Sequence, residues 1–187
     1  MSAAVLPPRP RVVLTTTASV DGRVTLTPSE RLLDPGVHAR WQAAWPTDVE
    51  DLIEQRRRWL EACYAPTVVL EGSGTFVAGD APSPWADSSG TDAHQFFTDH
   101  LPRRAPHWFV VVDGRGRVDW TFTGDEETAL LVLVCRATPV GYLKHLRELG
   151  VGYLVVGDER VDLPEAMERL GSALGAKDGH RRRRWRH

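Results

Sequence analysis

Two glycines and two hydroxyl side chains follow one predicted strand closely enough to bind a phosphate group. The strand covers residues 67–71 and is expected to be short and buried, and Gly72, Ser73, Gly74 and Thr75 come directly after it. A Gly-x-Gly-Thr turn allows backbone amides to approach a phosphate, and the threonine hydroxyl adds a donor. A tight turn from a strand into a helix would use the same two glycines for its geometry alone. The motif therefore predicts either an anion-binding loop or an ordinary turn.

A second polar segment follows an earlier predicted strand. Residues 11–18 are rich in β-branched side chains and contain no glycine or proline, which is typical of a buried strand. Asp21 and Gly22 come soon afterwards and predict a turn. Taken by itself, this Asp-Gly pair indicates a change of chain direction and no chemistry.

The elements that must position these segments alternate between strand and helix. Thr47 and Glu50 form a capping-box pattern before a helix predicted over 48–64. Thr138 is the expected N-cap of a helix that ends at Gly150, and a last helix begins after residue 162. The remaining predicted strands cover residues 108–112, 118–122, 129–135 and 152–156, with a hairpin turn at 113–116 that makes 118–122 an antiparallel partner.

This alternation predicts an α/β fold class with a mostly parallel sheet flanked by helices. Residues 78–106 have the least predicted regular structure. They are rich in Gly, Pro, Ser and Asp and include one short predicted helix at 92–100. A loop of that length inside a compact domain is often functional. The apolar pattern stops after Ala176, so we expect one domain over 1–176 and a disordered basic tail over 177–187.

Composition and charge exclude several classes of protein. The chain has 187 residues, 42% hydrophobic and 26% charged, which is ordinary for one globular domain. No stretch approaches the roughly 20 apolar residues of a membrane span, and the N-terminus lacks the layout of a signal peptide. These features predict a cytoplasmic protein with no membrane partner. Cys63 and Cys135 each lie in apolar sequence and are expected to be buried free thiols.

Two further groups of residues have alternative interpretations. His94 and His100 have a spacing that fits no standard metal site, so no metal is expected. The segment from Lys177 to His187 contains six basic residues and one acid. A basic tail could bind nucleic acid, but without a basic surface on the rest of the chain its attraction for nucleic acid would be weak. We therefore interpret the tail as a solvated chain end and expect no nucleic-acid partner.

The order and separation of these segments resemble the C-terminal reductase domain of the bacterial bifunctional deaminase-reductases of riboflavin biosynthesis. Residues 9–23 resemble the opening of that domain, residues 67–75 resemble its strand and Gly-Ala-Gly-Thr loop, and residues 76–80 resemble the continuation of that loop. Residues 131–138, 146–156 and 161–170 resemble its later strands and helices. The similarity spans residues 9–174. No single motif is diagnostic of the family, but the matching segments taken together, in this order along the chain, are specific to it.

The resemblance implies a dihydrofolate-reductase-like fold, a homodimer and a small-molecule substrate. It implies NADPH-dependent reduction of a ribosylaminopyrimidine phosphate to its ribityl form. Hydride transfer requires the protein to place the nicotinamide against an electrophilic carbon and to exclude water. The sequence shows no obvious acid–base pair of side chains, but a reductase of this kind does not require one. The residues implied are Thr17, Ala18 and Ser19 on the nicotinamide side, Gly72, Ser73, Gly74 and Thr75 along NADPH, and Asp21, Asp80 and Ser83 near cofactor or substrate.

The sequence departs from the family pattern at several points. Gly79 stands where an acid is usual, and Trp85 stands where an arginine-bearing segment is usual, so Arg103 or Arg104 would replace the usual phosphate ligand. Family members continue after the last helix with a strand and a Gly-Gly loop, so the resemblance predicts that C-terminal strands are missing here. The alternative function is therefore a truncated, catalytically silent relative that acts as a binding or oligomerising subunit.

Overall fold

The computed structural model of the chain describes residues 10–19, 22, 27, 34–77, 80–85 and 93–174. The chain divides into two compact units. One consists of Met1–Pro10 and Pro66–His187 and is called the sheet unit here, and the other, Arg11–Ala65, is called the helical unit. Asp21, Gly79 and the expected tail over 177–187 lie outside the described residues.

Within the described residues, four parallel strands form the sheet, in the order in which they occur along the chain. β1 is Val68–Gly72, β2 is His107–Val112, β3 is Thr128–Val134 and β4 is Gly152–Val155. Every neighbouring pair is parallel. The predicted parallel sheet and four of its predicted strands are therefore confirmed.

The side chains of β3 alternate between two apolar layers. Leu130 and Val132 belong to a core cluster that includes α3, Val140–Glu148. Leu131 belongs to a second cluster that includes Leu170 of α4, which spans Leu163–Ala173. Successive side chains of a strand point to opposite faces, so a strand covered on both faces is apolar throughout. The sequence of β3 is a continuous apolar run because both of its faces are covered.

The helices of the sheet unit begin and end close to their predicted positions. The Asp162 carboxylate accepts a hydrogen bond from the Glu165 amide at 3.0 Å, as a side-chain N-cap of α4 does. The prediction that Thr138 caps α3 was wrong, because Pro139 occupies the N-cap position. The Thr138 hydroxyl instead accepts from the Cys135 amide and donates to the Gly114 carbonyl.

The predicted hairpin after β2 was also wrong. A turn does form, since the Gly116 amide donates to the Asp113 carbonyl at 3.0 Å. Residues 117–122 form no strand, however, because β2 and β3 pair in parallel and the chain between them must return to the start of the sheet. Val118 and Trp120 are buried in the core on that return path, which accounts for their apolar pattern.

β1 is more exposed than its sequence predicted. It pairs with β2 on one side only among the described strands, and Val69 is 53% exposed. The expectation of a buried strand was therefore wrong for β1, because an edge strand has a neighbour on one side only.

The helical unit contains α1, Pro35–Ala43, and α2, Val49–Tyr64. The predicted capping box at Thr47 and Glu50 was wrong, because Asp48 is the N-cap and no side chain caps it. Residues 11–19 are exposed and form no strand, so that prediction was wrong too. β-branched residues favour a strand only where a neighbouring strand can pair with it. Cys63 is exposed, against expectation, whereas Cys135 is buried as predicted.

Candidate functional site

The ends of the parallel strands place several polar segments at one edge of the sheet. β1 ends at Gly72, β2 at Val112 and β3 at Val134. Because these strands are parallel, the segments that follow them emerge at the same edge. Open α/β sheets bind their ligands outside the carboxyl ends of the strands, so this edge is the candidate site.

The loop after β1 presents its glycines outward. Gly72, Gly74 and Thr75 are exposed, whereas Ser73 between them is only 7% exposed. Residues Ser73–Thr75 form a single 3₁₀ turn, and the Ser73 carbonyl accepts hydrogen bonds from the amides of Phe76 and Val77. The buried serine therefore holds the loop while its neighbours face outward.

Neither exposed glycine of this loop is required by the protein's own packing. Among the residues that the structure describes, a Cβ atom added to Gly72 or Gly74 would meet no atom within 4 Å. Neither residue has a positive φ, so an L side chain would fit the backbone as well. Glycine at these positions leaves the backbone open to close approach from outside.

A buried ion pair lies beside this loop. Asp113 follows β2 and is 1% exposed, and Arg117 is 9% exposed. One carboxylate oxygen of Asp113 accepts from the amides of Arg117 and Val118, at 2.7 and 3.0 Å. The guanidinium of Arg117 donates to the Ser73 hydroxyl at 3.0 Å. The turn after β2 is therefore joined to the loop after β1.

A tyrosine extends the same polar cluster into the core. Tyr142 on α3 is fully buried and accepts a hydrogen bond from the indole nitrogen of Trp120 at 2.7 Å. Burial raises the pKa of the Tyr142 hydroxyl strongly, and the neighbouring Asp113 carboxylate raises it further. Tyr142 is therefore neutral at any physiological pH.

Ser83, expected near cofactor or substrate, lies against the turn after β2. Its hydroxyl donates to the Gly116 carbonyl at 2.6 Å and accepts from the Trp85 amide at 3.3 Å. Ser73 and Ser83, predicted as parts of one site, are thus both bonded to residues of the turn over 113–117. Asp80 is exposed.

The residues expected on the nicotinamide side belong to the helical unit. The Thr17 hydroxyl accepts from the Arg56 guanidinium at 3.1 Å, and Ala18 is exposed. The Ser19 carbonyl accepts from the Gly22 amide at 2.8 Å, and Gly22 has φ +82°. This confirms the turn predicted at Gly22.

The arginines suggested as phosphate ligands differ in their surroundings. Arg103 donates to the carbonyls of Asp125 and Thr128, at 2.6 and 2.8 Å, so its guanidinium already stabilises the start of β3. Arg104 is exposed. Across the described ranges, no three His, Cys, Asp or Glu side chains lie close enough together to hold a metal ion. No helix in the described part of the chain is both long and apolar enough to cross a membrane.

The fold is that of an α/β domain of the dihydrofolate-reductase-like class. The chain matches the family model of the RibD C-terminal domain over residues 10–178, and it belongs to that family. This family is the reductase domain of riboflavin biosynthesis, a domain that normally binds a nicotinamide cofactor. No curated protein matches the chain.

The sequence did not reveal the ion pair of Asp113 and Arg117. Both residues were assigned to a hairpin, where charged side chains are ordinary. A signal was present, because two opposite charges four residues apart stand between apolar residues, after Val112 and before Val118. Charges in such a context are either solvated or paired, and the structure shows that they are paired.

Proposed function

We propose that this chain is an NADPH-dependent reductase whose loop Gly72, Ser73, Gly74 and Thr75 binds the cofactor. The observation that carries this proposal is the open space at Gly72 and Gly74, which neither packing nor backbone conformation requires to be glycine. Close approach of a ligand to the backbone is the remaining physical reason for two glycines there. Membership of a reductase family supports the same conclusion.

The substrate in this proposal is a ribosylaminopyrimidine phosphate, which is reduced to its ribityl form. NADPH would supply, when bound, a hydride for the electrophilic carbon of the ribosyl group, while the bond from that carbon to the ring oxygen breaks and the oxygen takes a proton from water. The chain contributes binding and orientation, with Thr17, Ala18 and Ser19 on the nicotinamide side and with Asp21, Asp80 and Ser83 near cofactor or substrate. Positioning of this kind supplies much of the rate enhancement in hydride transfer.

The test is an NADPH titration of the purified chain, followed by fluorescence or calorimetry, with NADH in parallel. We expect saturable binding with a dissociation constant in the micromolar range, about −8 kcal/mol. Gly74→Val is expected to weaken NADPH binding at least about tenfold, a loss of about 1.4 kcal/mol. Its unfolding temperature should stay close to that of the wild type, because a Cβ at residue 74 has open space.

A matched control is Gly36→Val, since a Cβ at Gly36 of α1 also meets no atom within 4 Å. This variant should bind NADPH like the wild type. A folded wild-type chain that does not bind NADPH would show that the proposal is wrong. Unchanged binding by Gly74→Val would show that the loop is an ordinary turn.

A second candidate function is a catalytically silent subunit that binds or oligomerises. It is favoured by α2, in which none of the 16 residues is buried and Leu52 and Trp59 are 46% and 54% exposed. Leu52 and Trp59 are seven residues apart and therefore lie on one face of α2, and contiguous exposed apolar surface often marks an interaction site. Sedimentation without cofactor distinguishes the two functions: self-association together with no NADPH binding supports the silent subunit, and saturable NADPH binding contradicts it.

A further inference from the structure

A buried guanidinium connects the candidate cofactor loop to the rest of the sheet. Ser73 and Arg117 are 44 residues apart in sequence, and each is less than a tenth exposed. The Arg117 guanidinium donates to the Ser73 hydroxyl at 3.0 Å, and its Nε lies 4.0 Å from a carboxylate oxygen of Asp113. One planar group therefore reaches both the loop after β1 and the turn after β2.

The Asp113 carboxylate fixes the turn from which this arginine side chain begins. It accepts the amides of Arg117 and Val118, which closes the turn on the carboxylate and directs the following chain into the core. The side chain of Asp113 is fully buried, and that of Arg117 is 7% exposed. Because the arginine begins at a residue of the same closed turn, its side chain has little freedom to move away from Ser73.

Ser73 in turn determines the conformation of the exposed loop. Its carbonyl accepts the amides of Phe76 and Val77, at 2.9 and 3.0 Å, and its side chain is anchored inside the protein. A Cβ added at Gly72 or Gly74 would meet no atom of another described residue within 4 Å, so no packing holds Gly74, whereas the backbone of Gly72 pairs with Val112 at the end of β1. The loop would therefore lose its main anchor if the Ser73 hydroxyl lost its donor.

Stability alone does not account for an ion pair at this position. Removing two charges from water costs about as much as their attraction returns, and apolar replacements of such pairs are often neutral or stabilising. What a buried arginine supplies and an apolar side chain does not is a directed hydrogen bond to Ser73.

We propose that Arg117 is a positioning residue of the cofactor site: held by Asp113, it fixes Ser73 so that Gly72, Gly74 and Thr75 keep the conformation that binds NADPH. This inference rests on the proposed function of the loop. It also assigns the Ser73 hydroxyl to the protein interior, so that Ser73 offers NADPH its backbone alone.

The first measurement needs no cofactor. Hydrogen exchange of the Phe76 and Val77 amides reports on the loop directly, because both donate to the Ser73 carbonyl. We expect Ser73→Ala and Arg117→Met each to speed this exchange about tenfold, the loss of one charge-assisted hydrogen bond. Exchange in β3 should not change. Arg103→Met is the matched control, since Arg103 also donates to protein oxygens but at the start of β3.

The second measurement is a double-mutant cycle on the NADPH dissociation constant. Ser73→Ala and Arg117→Met should each weaken binding about tenfold, and the double variant should be no weaker than either single variant. If the two substitutions caused independent structural defects, their fold-losses in NADPH affinity would multiply in the double variant instead. If Arg117→Met does not fold, Ser73→Ala combined with Arg117→Lys completes the cycle, because lysine keeps the charge beside Asp113 and lacks the planar fork.

The outcomes separate this inference from the proposed function. If the wild type binds NADPH and the two changes are additive or without effect, Arg117 is not a positioning residue and the proposed function stands. If the wild type is folded and does not bind NADPH, both proposals are overturned. If hydrogen exchange of the Phe76 and Val77 amides is unchanged in both Ser73→Ala and Arg117→Met, the inference is also overturned, whatever their NADPH dissociation constants are.

Discussion

β3 and α2 were both located in the sequence, and their surroundings in the structure are very different. Six of the seven residues of β3 are buried, whereas none of the 16 residues of α2 is. β3 lies between β2 and β4, with α3 and α4 contributing to the apolar clusters on its two faces. The difference teaches that an apolar pattern predicts the type of an element, and that burial depends on the neighbours that cover it.

Charged pairs differ between the two regions in the same way. Asp113 and Arg117 are buried beside β2, whereas Glu54 on α2 binds Arg57 and Arg58 at the surface. The hydrogen bonds from Arg57 and then Arg58 lower the pKa of Glu54 to about 2. Water and salt screen such an exposed pair, so its contribution to stability is small despite its geometry.

The largest expected effect is on the buried pair. Asp113→Ala leaves the guanidinium of Arg117 buried without its carboxylate, and we expect a loss of about 3–5 kcal/mol in the free energy of unfolding. Glu54→Ala should change it by a small fraction of that amount. Urea denaturation of both variants checks this, and equal losses would show that burial is not what distinguishes the two regions.

Leucines in the two regions provide a test without charges. Leu131 of β3 is completely buried, and Leu131→Ala should cost about 2–5 kcal/mol through lost burial and the cavity that remains. Leu52 of α2 is 46% exposed, and Leu52→Ala should stay within about 0.5 kcal/mol of the wild type. Chemical denaturation measures both. A loss at Leu52 as large as that at Leu131 would mean that α2 is covered in solution.

The smallest expected effect concerns pH. His100 is half-buried, and its backbone pairs with Tyr153 at β4. Burial, and then the charge of Arg147, lowers the pKa of His100 below 6.5. The unfolded chain therefore gains this proton first as the pH falls, so the contribution of His100 to stability is present above about pH 6.5 and is lost below it.

Denaturation at pH 7.5 and 5.5 measures that contribution. His100→Gln should show a smaller loss of stability on acidification than the wild type does. His107→Gln, which removes an exposed imidazole from β2 of the same unit, is the control. An identical pH dependence in the wild type and His100→Gln would contradict the lowered pKa.

Much of the sheet unit was predictable from local sequence. Four strands were located because each is a short apolar run between turn residues. The helices α3 and α4 were located because their apolar residues have a helical period and because Gly150 and Asp162 mark helix ends. The prediction failed over 118–122, where a return path buries Val118 and Trp120 without strand pairing. A period of two indicates alternate burial, and it does not distinguish a strand from an extended crossover segment.

The candidate site was predictable in part. The glycine loop after β1 was recognised because two glycines next to a strand end are visible in sequence. That its glycines face open space, and that Ser73 is anchored by Arg117, depends on residues about 40 positions away and was not visible. Asp21 lies outside the described residues, so its role stays a prediction.

The sequence by itself determined the family and most of the helices and strands, because apolar patterns, turn residues and ordered motifs are local properties of the chain. Only the tertiary structure decided which elements are covered, which charges meet and which glycines are free. The physical reason is that burial and pairing depend on distances between segments far apart in sequence. Asp113 and Arg117 show this most directly: they look like turn residues in the sequence, and they become the link to Ser73 only because β1 and β2 lie side by side.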